Sequence, residues 1–345
     1  MLSAESLRAF AHALLTRAGV AAPIARDVAD VLVEGDLLGH DTHGLWLLAP
    51  YLAEVDKGAM ARDGSYTVVN ERAATAVWDG QRLPGPWLMR RAVDAAIERA
   101  LQLGSGTIVV RRSHHIACLA AYLQRATDRG LVILLTCSDP NSESVAPFGG
   151  TRPFVTPDPI AFGFPTAGDP VLIDISASVT TNGMSSRLAR QGKHFEHPWL
   201  IDNAGNPTRD PSVLTTNPPG TILPLGGLEA GHKGFGLALM IETLSGGLAG
   251  FGRADDKQGW GATACVQVYD PEAFGGSAAL IRQTEHLRQS ARSNPPRPGV
   301  DRVRLPGERG LARKREQLAS GVTLNPEILP ALAPWAQKLG VPLPG

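Results

Sequence analysis

Residues 39–44, Gly-His-Asp-Thr-His-Gly, place two imidazoles, a carboxylate and a hydroxyl between two glycines. Histidine is the side chain whose ordinary pKa lets it exchange a proton near neutral pH. Glycine lets the backbone turn sharply enough to present such a ring to a cleft. His43 is therefore the first candidate for proton transfer, with the Thr42 hydroxyl beside it. A second pair of imidazoles, His114-His115, follows Arg111-Arg112-Ser113 after the β-branched run Thr107–Val110, and functional side chains commonly sit in loops at strand ends. Two imidazoles on separate loops can converge on one substrate. A rival chemistry is also open: His40, His43 and His115, with Asp41, offer nitrogen and oxygen ligands for a metal-dependent hydrolase. Their spacing follows no established zinc signature.

Other stretches carry ligand-binding chemistry with a plainer alternative beside each. Ser138 and Asp139 end the run Leu131–Thr136, as a Ser/Asp turn or as hydrogen-bonding groups for a ligand. Asp174 closes the run Val171–Ile175 and precedes Ser176; a carboxylate there needs a partner, whether a ribose hydroxyl, an imidazole or a backbone amide. Gly231-His232-Lys233-Gly234-Phe235-Gly236 leads into an apolar helical stretch and reads as an anion site at a helix start, where free N–H groups and the helix dipole attract negative charge. Its spacing is not that of a P-loop. Asp158–Pro165 reads as a stiff packed loop, and Leu305-Pro306-Gly307-Glu308-Arg309 as a turn before a late helix. No predicted strand runs through Gly-x-Gly-x-x-Gly into a helix, so the usual dinucleotide fingerprint is missing.

The elements that must position these groups follow from periodicity. Ser3 caps a helix with Leu7, Phe10, Leu14 and Leu15 on one face; Pro23 opens a second helix that delivers the chain to the His43 loop. A third helix runs from about 87 to 103. Short β-branched runs at 107–110, 131–136, 171–175 and 264–269 alternate with helical stretches at 117–129 and 233–248, which predicts an α/β core. Helical patterns return at 278–292, 308–320 and 327–339. These patterns divide the chain into a helical segment 1–75 bearing the His43 loop, an α/β core 76–276 and a helical segment 277–345 that packs on the first.

Composition excludes several classes. The 33 Lys+Arg balance 33 Asp+Glu, so no global field favours nucleic acid or an anionic membrane. Three scattered cysteines fit neither a disulfide framework nor a structural zinc site, and with no uncharged leader core near the start the expected location is the cytoplasm. No run of 18 apolar residues is present to span a bilayer.

Taken in order, these motifs resemble the malate/L-lactate dehydrogenase family, whose members lack a Rossmann domain and include cyclic imino acid reductases. The resemblance rests on Gly-His-Asp-Thr-His-Gly, Ser-His-His, Pro-Phe-Gly-Gly (147–150), Asp-Pro-Ile-Ala-Phe (158–162), Leu-Ile-Asp-Ile-Ser (172–176), 202–211, His-Lys-Gly-Phe-Gly-Leu (232–237) and Leu-Pro-Gly-Glu (305–308). It implies an α/β mixed-sheet fold of the sulfolactate dehydrogenase-like type, a homodimer, and NAD or NADP as cofactor, with Arg187 and Arg190 leaning toward NADPH. By position it implies His43, His115 and Thr42 as catalytic residues, and cofactor contacts at Ser138, Asp174, Ile175, Ser176, Lys233, Gly234, Pro306, Gly307 and Glu308. No metal is implied. Departures matter as well. The family often has arginine where Leu47 stands, suited to a bidentate clamp on the substrate carboxylate, and asparagine where Asp158 stands. Either another cation (Arg112, Arg152 or Arg187) meets the carboxylate, or the substrate is bulkier or less charged.

Overall fold

The computed structural model describes residues 2–256 and 259–345. The chain forms two compact units: Met1–Leu135, Ala161–Asp174 and Val266–Gly345 make the first, and Thr136–Ile160 with Ile175–Cys265 the second. The segment 76–276 contributes to both. In chain order the elements are α1 (Ala4–Arg17), α2 (Ala22–Leu38), α3 (Leu48–Asp56), β1 (Thr67–Glu71), β2 (Thr75–Asp79), α4 (Gly85–Leu103), β3 (Ser105–Ser113), α5 (Ala120–Thr127), β4 (Val132–Ser138), β5 (Pro159–Phe164) and β6 (Val171–Ser176). There follow α6 (Asn182–Arg190), β7 (Leu200–Ile201), β8 (Pro207–Thr208), β9 (Thr221–Ile222), α7 (Gly227–Glu242), β10 (Ala262–Tyr269), α8 (Ser277–Arg292), α9 (Glu308–Ser320) and α10 (Ile328–Leu339).

A mixed sheet of seven strands among the described residues is ordered β1-β2-β3-β10-β4-β5-β6, and β1, β2 and β3 lie wholly in the first unit. Strand β1 runs antiparallel to β2, and β2 parallel to β3 with Asp79 opposite Arg111. Helix α1 starts as its sequence demands: the Ser3 hydroxyl accepts the Ser6 N–H at 3.0 Å, and Leu7, Phe10, Leu14 and Leu15 are buried. Helix α2 has Pro23 in its first turn and ends at Gly39 with φ 87°, a left-handed conformation that glycine adopts without a Cβ penalty. It packs against α1, α4, α5 and α9, while α10 lies on α1 and α3. The helices at the two chain ends thus form one layer. Gln317 of α9 stitches it, donating to the carbonyls of Asp36 (3.1 Å) and Leu37 (3.0 Å) in the last turn of α2; the Asp36 carbonyl also accepts the Gly39 N–H at 3.0 Å.

The second unit holds a three-stranded antiparallel sheet, β8-β7-β9. Its core is Val145, Val155, Ala177, Phe195, Leu200, Ile222, Ala238 and Ile241.

Three local expectations change. The helix expected from 233 begins at Gly227, capped by Gly226 with φ 99°, so Lys233 lies in its second turn and the 231–236 glycines are not a helix start. Gly234 is small for packing: a Cβ there would stand 2.3 Å from the Leu225 nitrogen. Residues 159–164, read as loop, form β5. Pro159 occupies the first strand position, where its missing N–H is tolerated, and a Cβ at Gly163 would meet Thr127, Ile133 and Leu123 at 3.0–3.2 Å. Finally, β3 runs on to Ser113, so Arg111 and Arg112 are strand residues. Their guanidinium groups hold the buried Asp79, Nε of each at 3.0 Å from it.

Candidate active site

The His43 loop is shaped by a carboxylate beneath it. Asp36, 2% exposed, accepts the Leu45 N–H at 2.7 Å. A Cβ at Gly44 would sit 2.4 Å from the Asp36 carboxyl carbon, and one at Gly35 3.0 Å from the His43 carbonyl. The two glycines therefore let the loop close onto α2. Burial pushes the Asp36 carboxyl up to about 7, against the Leu45 amide. On top of this support His43 is half-buried, with Nδ1 2.8 Å from the Thr42 hydroxyl.

The second imidazole pair is pinned from three sides. His114 N–H donates to the Leu83 carbonyl at 3.1 Å, and the Ser113 hydroxyl donates to the His114 carbonyl at 2.7 Å. Gly85, the first residue of α4, comes so close that a Cβ would lie 2.4 Å from both the His114 and His115 carbonyl oxygens. From α3, the Tyr51 hydroxyl lies 2.8 Å from His115 Nδ1, and Glu54 Oε2 lies 3.5 Å from His114 Nε2. Burial lowers the pKa of His114 to about 4 against the pull of Glu54. His115 is pushed well below the ordinary histidine value by burial, then by His43 and His114. The rings of His43 and His115 face one another at 5.9 Å between centroids. The first unit thus brings His43, Thr42 and His115 together.

Sequence reasoning missed Asp36, Tyr51 and Glu54. Asp36 is an acidic residue on the apolar face of α2, among Leu32, Val33 and Leu37; that misfit was the available signal. Tyr51 and Glu54 stand three apart on the helix that leaves the His43 loop, a spacing that places both on one face.

The remaining candidates occupy defined places. Asp174 Oδ2 accepts the Ala120 N–H at 2.8 Å, capping the first turn of α5. Its oxygen, the Cys118 sulfur and a His40 nitrogen lie within 4.8 Å of one another; burial, then the Asp174 charge, push the Cys118 thiol up. His40 therefore faces Cys118 and Asp174. The Pro306 carbonyl accepts the Leu172 N–H at 3.3 Å, and a Cβ at Gly307 would meet the Leu172 backbone at 2.9 Å. Glu308 accepts the Leu305 N–H at 3.2 Å and pairs with Arg302.

In the second unit the Ser138 hydroxyl donates to Glu242 at 2.7 Å and accepts from Arg253 at 3.1 Å. Asp158, fully buried with φ 45°, accepts the Thr156 hydroxyl at 2.6 Å. Burial, then Glu242, push its carboxyl up to about 8. Ile175 is 45% exposed, and Ser176 Oγ donates to the Ser178 carbonyl at 3.0 Å. The Gly234 N–H donates to the Leu225 carbonyl, and the Leu225 N–H to that of Ala177, which links α7 to the stretch after β6. Lys233 is exposed on α7.

Comparison with known proteins decides what these units are. The family model described as malate/L-lactate dehydrogenase matches residues 2–333. The chain belongs to the malate/L-lactate dehydrogenase family. It is 33% identical to the L-lactate dehydrogenase of Cupriavidus necator, over 99% of each chain. It is 30% identical to the malate dehydrogenase of Pyrococcus horikoshii, covering 98% of this chain and 95% of that one. The crystal structure of malate dehydrogenase from Entamoeba histolytica superposes with a TM-score of 0.93 at 26% identity, covering 100% of this chain and 99% of that one. Membership makes the protein an oxidoreductase with a non-Rossmann mixed α/β fold, as the motifs implied, and the relatives imply a nicotinamide cofactor. It also corrects the rival reading: relatives that are dehydrogenases along the whole chain give no support to a metal-dependent hydrolase, and His40 does not join His43 and His115. Leu47, where the family often has arginine, is buried and offers no cation. No helix among the described residues is long and apolar enough to cross a membrane.

Proposed function

We propose that this protein interconverts a 2-hydroxy acid and its 2-oxo acid, or reduces a cyclic imino acid, with NAD or NADP and with His43 as general acid/base. The observation that carries this reading is the pairing of two imidazoles from separate loops, His43 and His115, at 5.9 Å in a chain of dehydrogenase kin.

When bound, the nicotinamide supplies or accepts the hydride. In the reducing direction negative charge grows on the substrate oxygen or nitrogen, and a protonated His43 donates to it; in the oxidising direction the same ring takes the proton back. Thr42, at 2.8 Å from His43 Nδ1, orients that ring. Asp174 and the Pro306–Glu308 turn in the first unit, and Ser138, Ile175, Ser176, Lys233 and Gly234 in the second, are assigned to the cofactor. They fit such a molecule: Ile175 offers an exposed apolar face, Asp174 and Ser176 offer groups for ribose hydroxyls, and Lys233 offers positive charge for a diphosphate. Arg187 and Arg190, in the last turn of α6, favour NADPH. Leu47 is buried and Arg112 is held by Asp79; Arg152 or Arg187 is the cation assigned to a substrate carboxylate. A homodimer in the cytoplasm completes the reading.

The test is a panel of 2-oxo acids and cyclic imines assayed with NADH and NADPH. His43→Ala should lose about 10²- to 10⁴-fold in turnover and still quench tryptophan fluorescence on binding NADPH. No turnover of the panel by the wild type, or full turnover by His43→Ala, overturns the proposal.

A further inference from the structure

The backbone amide of Ala117 points at His115 Nδ1 across 3.3 Å. An amide N–H can only donate, so that nitrogen must present its lone pair. The Tyr51 hydroxyl lies 2.8 Å from the same nitrogen and 3.1 Å from the His115 carbonyl; facing a lone pair on the nearer nitrogen, it gives its single proton to Nδ1. In a neutral ring whose Nδ1 is an acceptor, the proton is on Nε2. We propose that His115 acts as a fixed, neutral hydrogen-bond donor through Nε2–H toward the substrate oxygen or imine nitrogen, and that Tyr51 is the positioning residue that holds it in this tautomer.

Several features converge on this arrangement. Tyr51 is fully buried, so its hydroxyl is kept from solvent. Ala117 holds φ 60°, uncommon for a residue with a Cβ, and that conformation belongs to the turn that aims its amide at the ring. Such strain persists where the surrounding structure over-determines it. Protonating Nδ1 would set a ring N–H against the Ala117 N–H. His115 therefore resists becoming an imidazolium, in line with the lowering imposed by burial, His43 and His114. Of the titratable and charged groups around this ring, His43 and His114 face it, and Glu54 and Lys57 on α3 together with Arg82 from the turn before α4 act on His114. A ring that cannot accept a proton cannot be the base of the oxidising direction, so that duty stays with His43. A preorganised neutral donor still stabilises charge developing on the substrate, as a neutral imidazole does in other enzymes.

The inference rests on the proposed dehydrogenase reading for its substrate, but its central claim concerns a tautomer, which is measured without turnover. In ¹⁵N-histidine-labelled wild-type protein, with His115→Gln identifying the resonance by its loss, His115 should show an unprotonated Nδ1 and a protonated Nε2 from pH 5.5 to 8.5. In Tyr51→Phe the resonance should shift toward a mixture of tautomers, and kcat should fall about 10- to 100-fold, the range seen when the hydrogen-bond partner of a functional imidazole is removed, with unchanged NADPH affinity. A glutamine amide can place an N–H near the Nε2 position, whereas an asparagine amide reaches only as far as Nδ1. His115→Gln should therefore retain at least 10-fold more turnover than His115→Asn. Wild-type His115 protonated on Nδ1, or titrating near the ordinary histidine value, overturns the proposal whatever the activity. Equal loss in the Gln and Asn variants overturns the donor role. Absence of turnover in the wild type leaves the tautomer measurement decisive and defeats only the dehydrogenase reading.

Discussion

Gly44 and Asp36 share one space: the buried carboxylate of Asp36 fills the volume a Gly44 side chain would need, and from there it holds the Leu45 amide at 2.7 Å. Gly44→Ala must displace Asp36 or lift the loop. Overpacking costs about 1–3 kcal/mol, and a buried polar group left without its partner costs about as much again. The variant should lose about 2–4 kcal/mol in urea denaturation and, with His43 displaced, at least tenfold in turnover. Asp36→Ala frees the space, so the double variant should be less destabilised than the sum of the singles. Strict additivity would show that the two residues do not interact.

Gln317 is 5% exposed and makes three hydrogen bonds: to the Asp36 and Leu37 carbonyls and from the Thr323 amide at 2.9 Å. Removing it takes this donor from the Leu37 carbonyl and leaves the Asp36 carbonyl with the Gly39 N–H at 3.0 Å. Gln317→Ala should cost about 2–4 kcal/mol, and Gln317→Glu should cost more, because a carboxylate would face two carbonyl oxygens. Chemical denaturation of both variants checks the order; an equal or smaller loss for the glutamate would refute it.

How far the sequence carried is clearest at two places. The His43 loop, the Ser3 cap, the Pro23 start and the boundaries of α8 and α9 were legible, because they depend on local chemistry: caps, prolines and apolar spacing. Helix α7 was misplaced because its glycines looked like a helix start, whereas Gly234 answers to Leu225, which is distant from it in local chemistry though near in space. The same holds for Tyr51 and Glu54. Nothing local marks a tyrosine on an apolar face as the partner of an imidazole 64 residues later. Strands β1 and β2 went unread as well, since β1 is exposed throughout and shows no alternation for a pattern to catch.

Lys233 stands in the second turn of α7, past the helix start at Gly227, and is exposed. Any contribution to the cofactor therefore comes from its ammonium charge alone. Lys233→Ala should weaken NADPH binding by about tenfold while leaving kcat at saturating cofactor within a factor of two, and Lys233→Arg should recover most of the affinity. The loss should shrink as salt rises, because an exposed charge is screened. An unchanged dissociation constant for NADPH, read by tryptophan quenching, would remove Lys233 from the cofactor site.

Asp158 combines a buried carboxyl with a left-handed backbone, φ 45°. Its pKa is raised from 3.8 to about 8, first by burial and then by the Glu242 charge, with Thr156 and Arg253 pulling the other way. A folded-state value above the unfolded one means that the native protein holds a proton which the unfolded chain has released. The favourable contribution is therefore complete below about pH 4 and is lost as the pH rises through 8. Asparagine keeps the acceptor for the Thr156 hydroxyl, carries no charge at any pH and is among the residues most tolerant of this backbone region. Asp158→Asn should thus raise the melting temperature at pH 8.5 by several degrees, corresponding to about 1–3 kcal/mol, with a gain that narrows steadily toward pH 4.5. Melting curves of both proteins across that range decide it. A gain that is flat with pH would assign the effect to the backbone alone, and a loss at pH 8.5 would show that the Asp158 charge is needed by Arg253, 3.9 Å away.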